Sequence, residues 1–325
     1  MSGKYRRLHR PGDAALSRFT SAALALLLLA ALPAWFYVPS PETSEISTDI
    51  PSLQKHEKSP LPVREAVITP EAAPDRNHCL LLIGQDSRDP SQRERSDAMI
   101  LCFFQSGSPK LKFVSFMRDL YVRIPGHPDG RLNTAYALGG MPLLKDAFRD
   151  NFGVTVDGCI EVDFERFVRL VDLMEGVSME LREDEAAVIS EICGTSLSEG
   201  LQQLSGEQAL AYVRIRNLDP DSDFSRTLRQ RKLLHAIVER CRSVSPLKLL
   251  KLSGNALPLL STDLSKSQLL AVTSDLLPLL NRLETESLRI PADGTFQEKT
   301  VDGMAVLVAD ESQTREYLQS ILSGQ

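Results

Sequence analysis

A run of twenty residues without charge, near the amino terminus, fixes where the rest of the chain can lie. The run extends from Phe19 to Val38 and ends in an aromatic cluster. Twenty apolar residues in a helix match the thickness of a bilayer core. Residues 1–18 carry five basic side chains against one acidic one, and basic flanks stay on the cytoplasmic side. The sequence therefore predicts a cytoplasmic segment at 1–18, a transmembrane helix at 19–38 and an extracytoplasmic remainder.

A cleaved signal peptide is the alternative interpretation of this run. The segment Leu32-Pro33-Ala34 has a weak resemblance to a cleavage site, but the apolar run continues through Trp35-Phe36-Tyr37. Its length favours a retained anchor, so we expect a single-pass protein of the cell membrane. Residues 39–77 are rich in Pro, Ser, Thr and Glu with little periodicity, which is typical of an extended linker.

The chain from residue 78 to residue 325 alternates between strand and helix patterns. The short apolar run Cys79–Gly84 has the pattern of a buried strand, and Phe164–Met174 repeats its apolar residues at helical spacing. Near the carboxyl end, a pair of strands is expected around 286–290 and 300–308. No clear linker interrupts this region, so the sequence predicts one α/β unit.

A stretch rich in arginine in the second half has the chemistry of an anion site. Tyr212-Val213-Arg214-Ile215-Arg216 alternates with period two, which predicts a short strand or extended segment with both arginines on one side. A helix is then expected from Asp223 or Ser225, with Arg226, Arg229 and Gln230 close to one face. Guanidinium groups gathered at a helix amino terminus favour a multiply charged anion such as a diphosphate.

Acidic and basic residues recur together at three successive predicted strand ends. A single aspartate there is usually a turn residue that bonds its own backbone, but turns do not need arginine. Two carboxylates beside arginines are suitable ligands for Mg²⁺, which takes one or two carboxylates plus phosphate oxygens and water. The pairs are Asp86 with Arg88, Arg95 with Asp97, and Arg118 with Asp119.

Several classes of protein are disfavoured by the sequence. The net charge of −6 and pI near 5.5 argue against a nucleic-acid partner, which normally requires a basic surplus. The chain contains no GxxxxGK[ST], GxGxxG, GxSxG or HExxH motif, so nucleotide, serine-hydrolase and zinc-protease signatures are missing. Its five cysteines lack CxxC spacing and predict neither a zinc site nor a closed disulfide framework.

Seven motifs follow one another along this part of the chain: GQDSR (84–88), RSDAM (95–99), MRDLYVRIPG (117–126), RLNTAYALGG (131–140), VDFERFVRLVDLMEGV (162–177), LSGEQALAYVRIR (204–216) and DFSRTLRQRKLL (223–234). In this order they give the chain a resemblance to the LytR-CpsA-Psr family of bacterial envelope proteins. The resemblance implies a three-layer α/β/α domain with a central mixed sheet, behind one transmembrane helix. It also implies a phosphotransferase that moves a glycopolymer, such as teichoic acid or capsule, from undecaprenyl diphosphate to peptidoglycan.

The resemblance implies a role for each matching residue. Asp86 and Asp97 would bind Mg²⁺, with Mn²⁺ as an alternative, and Asp223 would act with Arg118 and Arg226 in catalysis. The residues expected to hold the diphosphate are Arg88, Arg95, Arg118, Arg214, Arg216, Arg226 and Gln230. The chain departs from the family pattern without losing a charged site residue, which bears on substrate choice more than on activity. The departures are Met117 for proline, Ala98 for threonine, Arg131 for lysine and Ser225 for glycine.

Two other functions fit the same residues. Hydrolysis of the lipid diphosphate would use water in place of the sugar hydroxyl. A non-catalytic regulator, a membrane-bound transcriptional attenuator, would bind the polyprenyl lipid and signal. The intact Asp86, Asp97 and Asp223 favour an enzyme, because a protein that only binds lipid needs neither a metal pair nor a base.

Overall fold

The computed structural model describes residues 76–85, 96–216, 218–219, 222–245, 248, 252 and 255–323. The predicted transmembrane helix at 19–38 and most of the predicted linker lie outside this part. None of the helices among the described residues is both long enough and apolar enough to cross a membrane.

The described residues alternate between strands and helices along most of their length. The strands are β1 (Asn77–Gln85), β2 (Ser96–Gln105), β3 (Lys110–Phe116), β4 (Tyr121–Val122), β5 (Gly130–Arg131), β6 (Gly158–Asp163), β7 (Val177–Leu181), β8 (Gly200–Leu204), β9 (Ser261–Thr262), β10 (Glu284–Ile290), β11 (Phe296–Val301) and β12 (Met304–Ala309). The α-helices are α1 (Leu132–Phe152), α2 (Phe164–Leu173), α3 (Glu183–Cys193), α4 (Gly206–Arg214), α5 (Ser222–Ser243), α6 (Lys266–Leu276) and α7 (Glu311–Ser323).

The largest sheet has six strands in the order β10-β3-β2-β1-β6-β9. Strand β1 pairs antiparallel with β2 and parallel with β6, so that Leu81 lies between Leu101 and Cys159. Strand β10 is parallel to β3, and β9 is antiparallel to β6. Parallel and antiparallel pairs in one sheet confirm the predicted α/β fold with a central mixed sheet.

Helices cover both faces of this sheet. Successive residues of β1 belong to different hydrophobic clusters, since Leu80 packs in one and Leu81 in the other, and both are fully buried. The first cluster takes side chains from α2, α4, α5 and α6, and the second takes them from α1 and α7. A strand buried on both faces has a continuous apolar sequence, which explains the run that begins at Cys79.

The period-two interpretation of Tyr212–Arg216 is wrong, because Tyr212–Arg214 is the last turn of helix α4. The helix begins after Ser205, whose hydroxyl accepts from the backbone N–H of Gln208 while the Gln208 side chain accepts in return. Tyr212 and Ile215 are both buried, and they are three residues apart. This spacing is helical. Of the residues from Tyr212 to Arg216, only Ile215 and Arg216 lie beyond the end of the helix.

The expected strand pair near the carboxyl end is also wrong. Strand β10 joins β3 in the central sheet, whereas β11 and β12 pair with each other. The turn of this hairpin is Asp302-Gly303, and both residues have positive φ angles, 50° and 76°. A two-residue turn with two positive φ angles matches the right-handed twist of its strands, so the Asp-Gly dipeptide marks the true partners. Helix α3 and strand β8, the partner of β7, were not predicted.

The cysteines in the structure are free. Cys79, Cys102, Cys159 and Cys241 are buried and Cys193 is half-buried. Burial is the first cause that raises the pKa of the Cys79 and Cys241 thiols, to about 12 in each case. These thiols therefore pack as small apolar side chains, in agreement with their lack of metal-ligand spacing.

Candidate active site

Five charged residues from distant parts of the sequence meet where β2 begins, β3 ends and α5 begins. Asp97 lies on β2, and Arg118 follows β3. Asp223 lies in the first turn of α5 and Arg226 in the next, while Arg216 follows α4. The central sheet thus holds two of these side chains, and the helical layer beside it supplies the other three.

Arg118 bridges the two aspartates of the site. Its Nη1 donates to Asp97 Oδ1 at 3.0 Å and its Nη2 donates to Asp223 Oδ2 at 3.2 Å. Its Nε is also 3.4 Å from Asp119 Oδ2. Burial acts to lower the pKa of Arg118, but the carboxylates of Asp223, Asp119 and Asp97 outweigh it and raise that pKa above its ordinary value. The guanidinium therefore remains charged.

Arg226 is the most enclosed cation of the site, with a side chain only 3% exposed. Its Nη2 is 3.1 Å from Asp223 Oδ1, and its Nη1 is 3.9 Å from Asp97 Oδ1. Burial, together with Arg118 and Arg216, lowers the pKa of Arg226 to about 10, although Asp223 opposes that change. The neighbouring carboxylates therefore offset only part of the free-energy cost of burying this cation.

Buried polar atoms at this site lack hydrogen-bond partners within the described part of the chain. They include Nε and Nη1 of Arg226 and Oε1 of Gln230. A buried polar group without a partner is costly, and guanidinium donors are strong ligands for phosphate oxygens. Arg226 therefore offers two donors to an anionic ligand.

The same arginine lines one end of a large apolar pocket. The empty space within this pocket, with the open space at its mouth included, is about 1060 Å³. The charged and polar residues at this pocket are Asp97, Arg214, Arg216, Arg226 and Gln230. Apolar side chains from β1, β2, β6, α2, α4 and α5 line the remainder, including Leu82, Ile100, Phe167, Leu210, Val213 and Leu234. The pocket suits a molecule with a long apolar part and an anionic head.

Two further arginines complete the cationic end. Arg216 Nη2 is 3.6 Å from Asp97 Oδ2. The guanidinium carbon of Arg214 lies 4.7 Å from the centre of the Phe164 ring, a cation–π contact that holds its side chain at the pocket.

Arg229 does not face the pocket, contrary to the expectation from its spacing. Its Nε donates to Glu185 Oε1 at 2.8 Å and its Nη2 donates to Asp219 Oδ2 at 2.5 Å. Arg229 and Glu185 are both buried. The pair ties α5 to α3, and Asp219 brings in the segment that precedes α5. Arg229 is therefore a positioning residue, and the unpredicted helix α3 supplies its partner.

A second, polar pocket is lined by Asp223. It is also lined by Asp119 and Phe224, and by residues 298–300 and 305–307 of the hairpin β11–β12. Arg131 holds this hairpin in place, because its Nε and Nη2 donate to the Ala305 carbonyl at 3.0 and 2.7 Å. No sequence pattern indicated that this hairpin is part of the site. Arg131 itself stands at a position where the family pattern has lysine.

Tyr136 supports the end of strand β1. Its hydroxyl donates to Gln85 Oε1 at 2.8 Å and lies 2.5 Å from Glu161 Oε2 on β6. The tyrosine comes from the RLNTAYALGG motif and is fully buried. It thereby joins β1 and β6 just before residues 86–95, which lie outside the described part.

The structure brings together most of the predicted site residues that it describes. Asp97, Arg118, Arg216, Asp223 and Arg226 form one network of ion pairs, and Arg214 and Gln230 lie at the same pocket. The predicted residues Asp86, Arg88 and Arg95 lie outside the described residues. Within the described ranges, no three His, Cys, Asp or Glu side chains are grouped closely enough to hold a metal ion.

Comparison with known proteins identifies the family. The model of the LytR_cpsA_psr family matches residues 42–321, which is most of the chain. The chain belongs to the LytR-CpsA-Psr family. This result confirms the resemblance carried by the seven motifs.

Relatives of this LytR-CpsA-Psr protein include proteins named as transferases and proteins named as regulators. The chain is 29% identical over 234 residues to the regulatory protein MsrR of Staphylococcus aureus strain COL, covering 70% of this chain and 69% of MsrR. It is 35% identical over 175 residues to the polyisoprenyl-teichoic acid–peptidoglycan teichoic acid transferase TagT of Bacillus subtilis strain 168, covering 51% of this chain and 53% of TagT. The family is thus shown, but its members differ in their named roles.

The described fold also matches solved structures of the LytR-CpsA-Psr family. One is YwtF (TagT) with bound octaprenyl pyrophosphate lipid, with a TM-score of 0.59, 26% identity, and coverage of 76% of this chain and 89% of that one. The mixed α/β architecture with its central mixed sheet is therefore that of the family.

Proposed function

We propose that this protein is a membrane-anchored extracytoplasmic phosphotransferase that moves a glycopolymer from undecaprenyl diphosphate to peptidoglycan. The observation that carries the proposal is the position of Arg226. It lies at the junction of an apolar pocket and a cluster of arginines, and its buried Nε and Nη1 have no hydrogen-bond partner among the described residues. A polyprenyl diphosphate has the matching parts, an apolar tail and a multiply charged head.

The donor lipid would bind with its tail among the apolar side chains of α2, α4 and α5. Its diphosphate would lie against Arg214, Arg216, Arg226 and Gln230 at the end of the pocket. Arg118 would take a phosphate oxygen in place of one of its carboxylate contacts. TagT belongs to the same family, and its solved structure contains octaprenyl pyrophosphate. That structure supports this assignment.

In phosphoryl transfer, the protein mainly positions the reacting groups and neutralises the charge of the phosphates. The oxygen of an acceptor hydroxyl would attack the phosphorus that carries the glycopolymer, and the bond to the second phosphate would break, releasing undecaprenyl phosphate. Asp223 would take the proton of that hydroxyl. In the structure its two oxygens contact Arg226 and Arg118, so transfer of these guanidinium groups to the diphosphate would expose the carboxylate for this role.

The acceptor would approach from the polar pocket beside Asp223. Asp119, Glu298, Lys299 and Thr300 supply charged groups and a hydroxyl there, which suits the hydroxyl groups of a sugar. Asp223 lines this pocket and contacts Arg226, which lines the apolar one. Donor and acceptor would therefore meet at one carboxylate from opposite sides.

We further propose that Asp97 and Asp86 hold Mg²⁺, or Mn²⁺, at the diphosphate. Asp97 fits this role because its carboxylate lies at the cationic end of the pocket and is a quarter exposed. A bound ion would neutralise part of the diphosphate charge during transfer. The anchor predicted at 19–38 would place the domain at the outer face of the cell membrane, where lipid and peptidoglycan are both within reach.

Transfer assays with arginine variants test the proposal. We expect Arg118→Ala and Arg226→Ala to abolish transfer from a polyprenyl-diphosphate donor. Each substitution removes a guanidinium group that would contact the diphosphate, whose charge is redistributed during the transfer. Arg149→Ala is the matched control, since Arg149 is 57% exposed and pairs only with Asp146 and Asp150 among the described residues. Unchanged turnover in the Arg118 or Arg226 variant would contradict the site assignment.

Product analysis separates the alternatives. A transferase gives polymer linked to peptidoglycan when peptidoglycan is present, whereas a hydrolase gives free phosphorylated polymer in either condition. The regulator hypothesis, for which the relative named MsrR is the reason, predicts lipid binding without turnover in both.

A further inference from the structure

We propose that a pocket beside the carboxyl end of the β10 strand is a second oxyanion site, separate from the candidate active site, which takes phosphate or a phosphate ester. The pocket is formed by Phe224, Ser225, Leu228 and Arg231 of α5, by Ser287, Leu288 and Arg289 of β10, and by Ala292, Asp293 and Tyr317. We refer to it as the Arg231 pocket. Its function does not depend on the proposed transfer reaction.

Arg231 is the first observation that points to an anion. The residue is 93% buried, and its Nε and Nη1 are both buried without a hydrogen-bond partner among the described residues. Within that part of the chain it also lacks a carboxylate at ion-pair distance. An arginine cannot shed its charge to escape this environment in the way a lysine can. An enclosed, unpaired guanidinium that lines a pocket therefore requires a ligand of opposite charge.

Arg289 is a second cation at the same pocket. Its Nε donates to the Pro291 carbonyl at 3.2 Å, and its guanidinium carbon lies 4.1 Å from the centre of the Phe224 ring. These contacts hold the group in place rather than neutralise it. Burial, and after it the repulsion from the nearby Arg289 guanidinium, lowers the pKa of Arg231 to about 10. Two guanidinium groups that repel each other are stabilised by a shared oxyanion.

Asp293 is the carboxylate that lines this pocket, and it contacts Arg289. Its side chain is 95% exposed, so water screens the pair and its contribution is small. Ser225 and Tyr317 bring hydroxyl groups that can donate to further oxygens, whereas the Ser287 hydroxyl already lies 2.7 Å from His235 Nε2. The pocket thus combines two fixed cations, two available hydroxyls and one solvated acid, which favours an oxyanion with several acceptor oxygens.

The Arg231 pocket is distinct from the candidate active site because α5 separates them. Arg231 follows Arg226 by five residues, which places the two side chains about 140° apart around the helix axis. Arg226 lines the apolar pocket and Arg231 does not, and no charged residue is shared by the two linings. Phe224 alone connects the Arg231 pocket to the polar pocket beside Asp223.

Thermal unfolding of the full-length chain in detergent, with and without inorganic phosphate at constant ionic strength, tests the site. A ligand that binds only the folded state raises Tm, by about 5 °C at a hundredfold excess over its Kd. We expect Arg231→Met to keep or raise the Tm measured without phosphate, because it removes an unpaired buried charge. The same variant should lose most of the Tm increase that phosphate gives the wild-type protein.

Two other variants make the result specific. Arg289→Met, which alters a residue less enclosed than Arg231, should also lose phosphate stabilisation. Arg149→Met, which removes an exposed arginine, should keep all of it. A full phosphate response in Arg231→Met and Arg289→Met would overturn the proposal, because phosphate would then bind elsewhere on the protein. A Tm loss in Arg231→Met that is equal with and without phosphate would also overturn it, because that is the behaviour of a structural arginine.

The source of the oxyanion is resolved by repeating the titration with glycerol phosphate. Tighter binding of the ester than of inorganic phosphate would indicate a phosphate group within a larger molecule. Equal or weaker binding would indicate the free anion.

Discussion

At the scale of single residues, the candidate site depends on which partners each charged side chain finds. Arg226 and Arg229 are three residues apart on one helix, yet Arg226 lies at the pocket and Arg229 pairs with Glu185 and Asp219. Sequence spacing alone could place both on a similar face of α5. It could not show that a second helix brings a buried glutamate to one of them.

Asp223 is the residue whose chemical role can be tested most directly. Asp223→Asn keeps the shape of the side chain but removes its capacity to accept a proton. We expect kcat for transfer to fall by about 10²–10⁴-fold, the usual contribution of a general base, while the Kd for the lipid donor changes little. Steady-state kinetics combined with donor binding measures both. A kcat near the wild-type value would exclude Asp223 as the base.

Asp97 and Arg118 could be named from the sequence because arginine and aspartate recur together at strand ends. Arg216 and Arg226 could be named from the arginine-rich stretch, and the resemblance implied the role of Asp223. Their contacts could not be derived, since Arg118 joins Asp97 and Asp223 across 21 and 105 residues of sequence. Nor did any motif show that Arg231 is buried without a partner. Burial of this kind depends on where β10 lies, which is a property of the whole sheet.

At the scale of elements, the Arg229–Glu185 pair couples α5 to α3. Breaking a buried ion pair by removing one partner leaves an unpaired buried charge, at a cost of about 3–5 kcal/mol. We therefore expect Arg229→Met to lower the free energy of unfolding by about that amount. Denaturant unfolding measures the change.

The matched control for this prediction is Arg169→Met. Arg169 is 63% exposed and pairs with Glu165 one turn away on α2, so its loss should change stability by less than about 0.5 kcal/mol. The double variant Arg229→Met, Glu185→Gln should recover part of the stability lost by the single one, because the unpaired carboxylate is also removed. Equal losses in Arg229→Met and Arg169→Met would contradict the assigned role.

Elements with strong local signals were predictable, and elements defined by distant partners were not. The capping residue Ser205 and the Asp302-Gly303 turn are local features: the first marks the start of α4, and the second marks the turn between β11 and β12. Alternating arginines imitated a strand at Tyr212–Arg216 because the last turn of α4 leads directly into an extended segment. The pairing of β10 with β3 joins residues more than 170 positions apart, and no local pattern encodes it.

At the scale of the whole molecule, the fold places a polar pocket lined by Asp223 beside an apolar pocket lined by Arg226, and these two residues contact each other. The mixed sheet positions Asp97 and Arg118, and the helices on one face enclose the apolar pocket. The hairpin β11–β12 closes the polar pocket and is joined to the site by the Leu307 N–H, which donates to the Asp119 carbonyl at 2.9 Å. The α/β class was predictable from the alternation of strand and helix patterns. The positions of the two pockets could not be predicted, because they depend on contacts between residues far apart in the sequence.

The central claim is that the apolar pocket holds the tail of a polyprenyl lipid whose diphosphate lies against Arg226. Mass spectrometry of lipid that copurifies with the full-length protein from membranes tests it most directly, with Val213→Trp to fill the pocket and Arg226→Ala to remove the buried cation. We expect a polyprenyl diphosphate with the wild-type protein and with Arg149→Ala, and little with either pocket variant, provided that both variants unfold cooperatively. Equal amounts of this lipid with all four proteins, or none with the wild type, would contradict the claim.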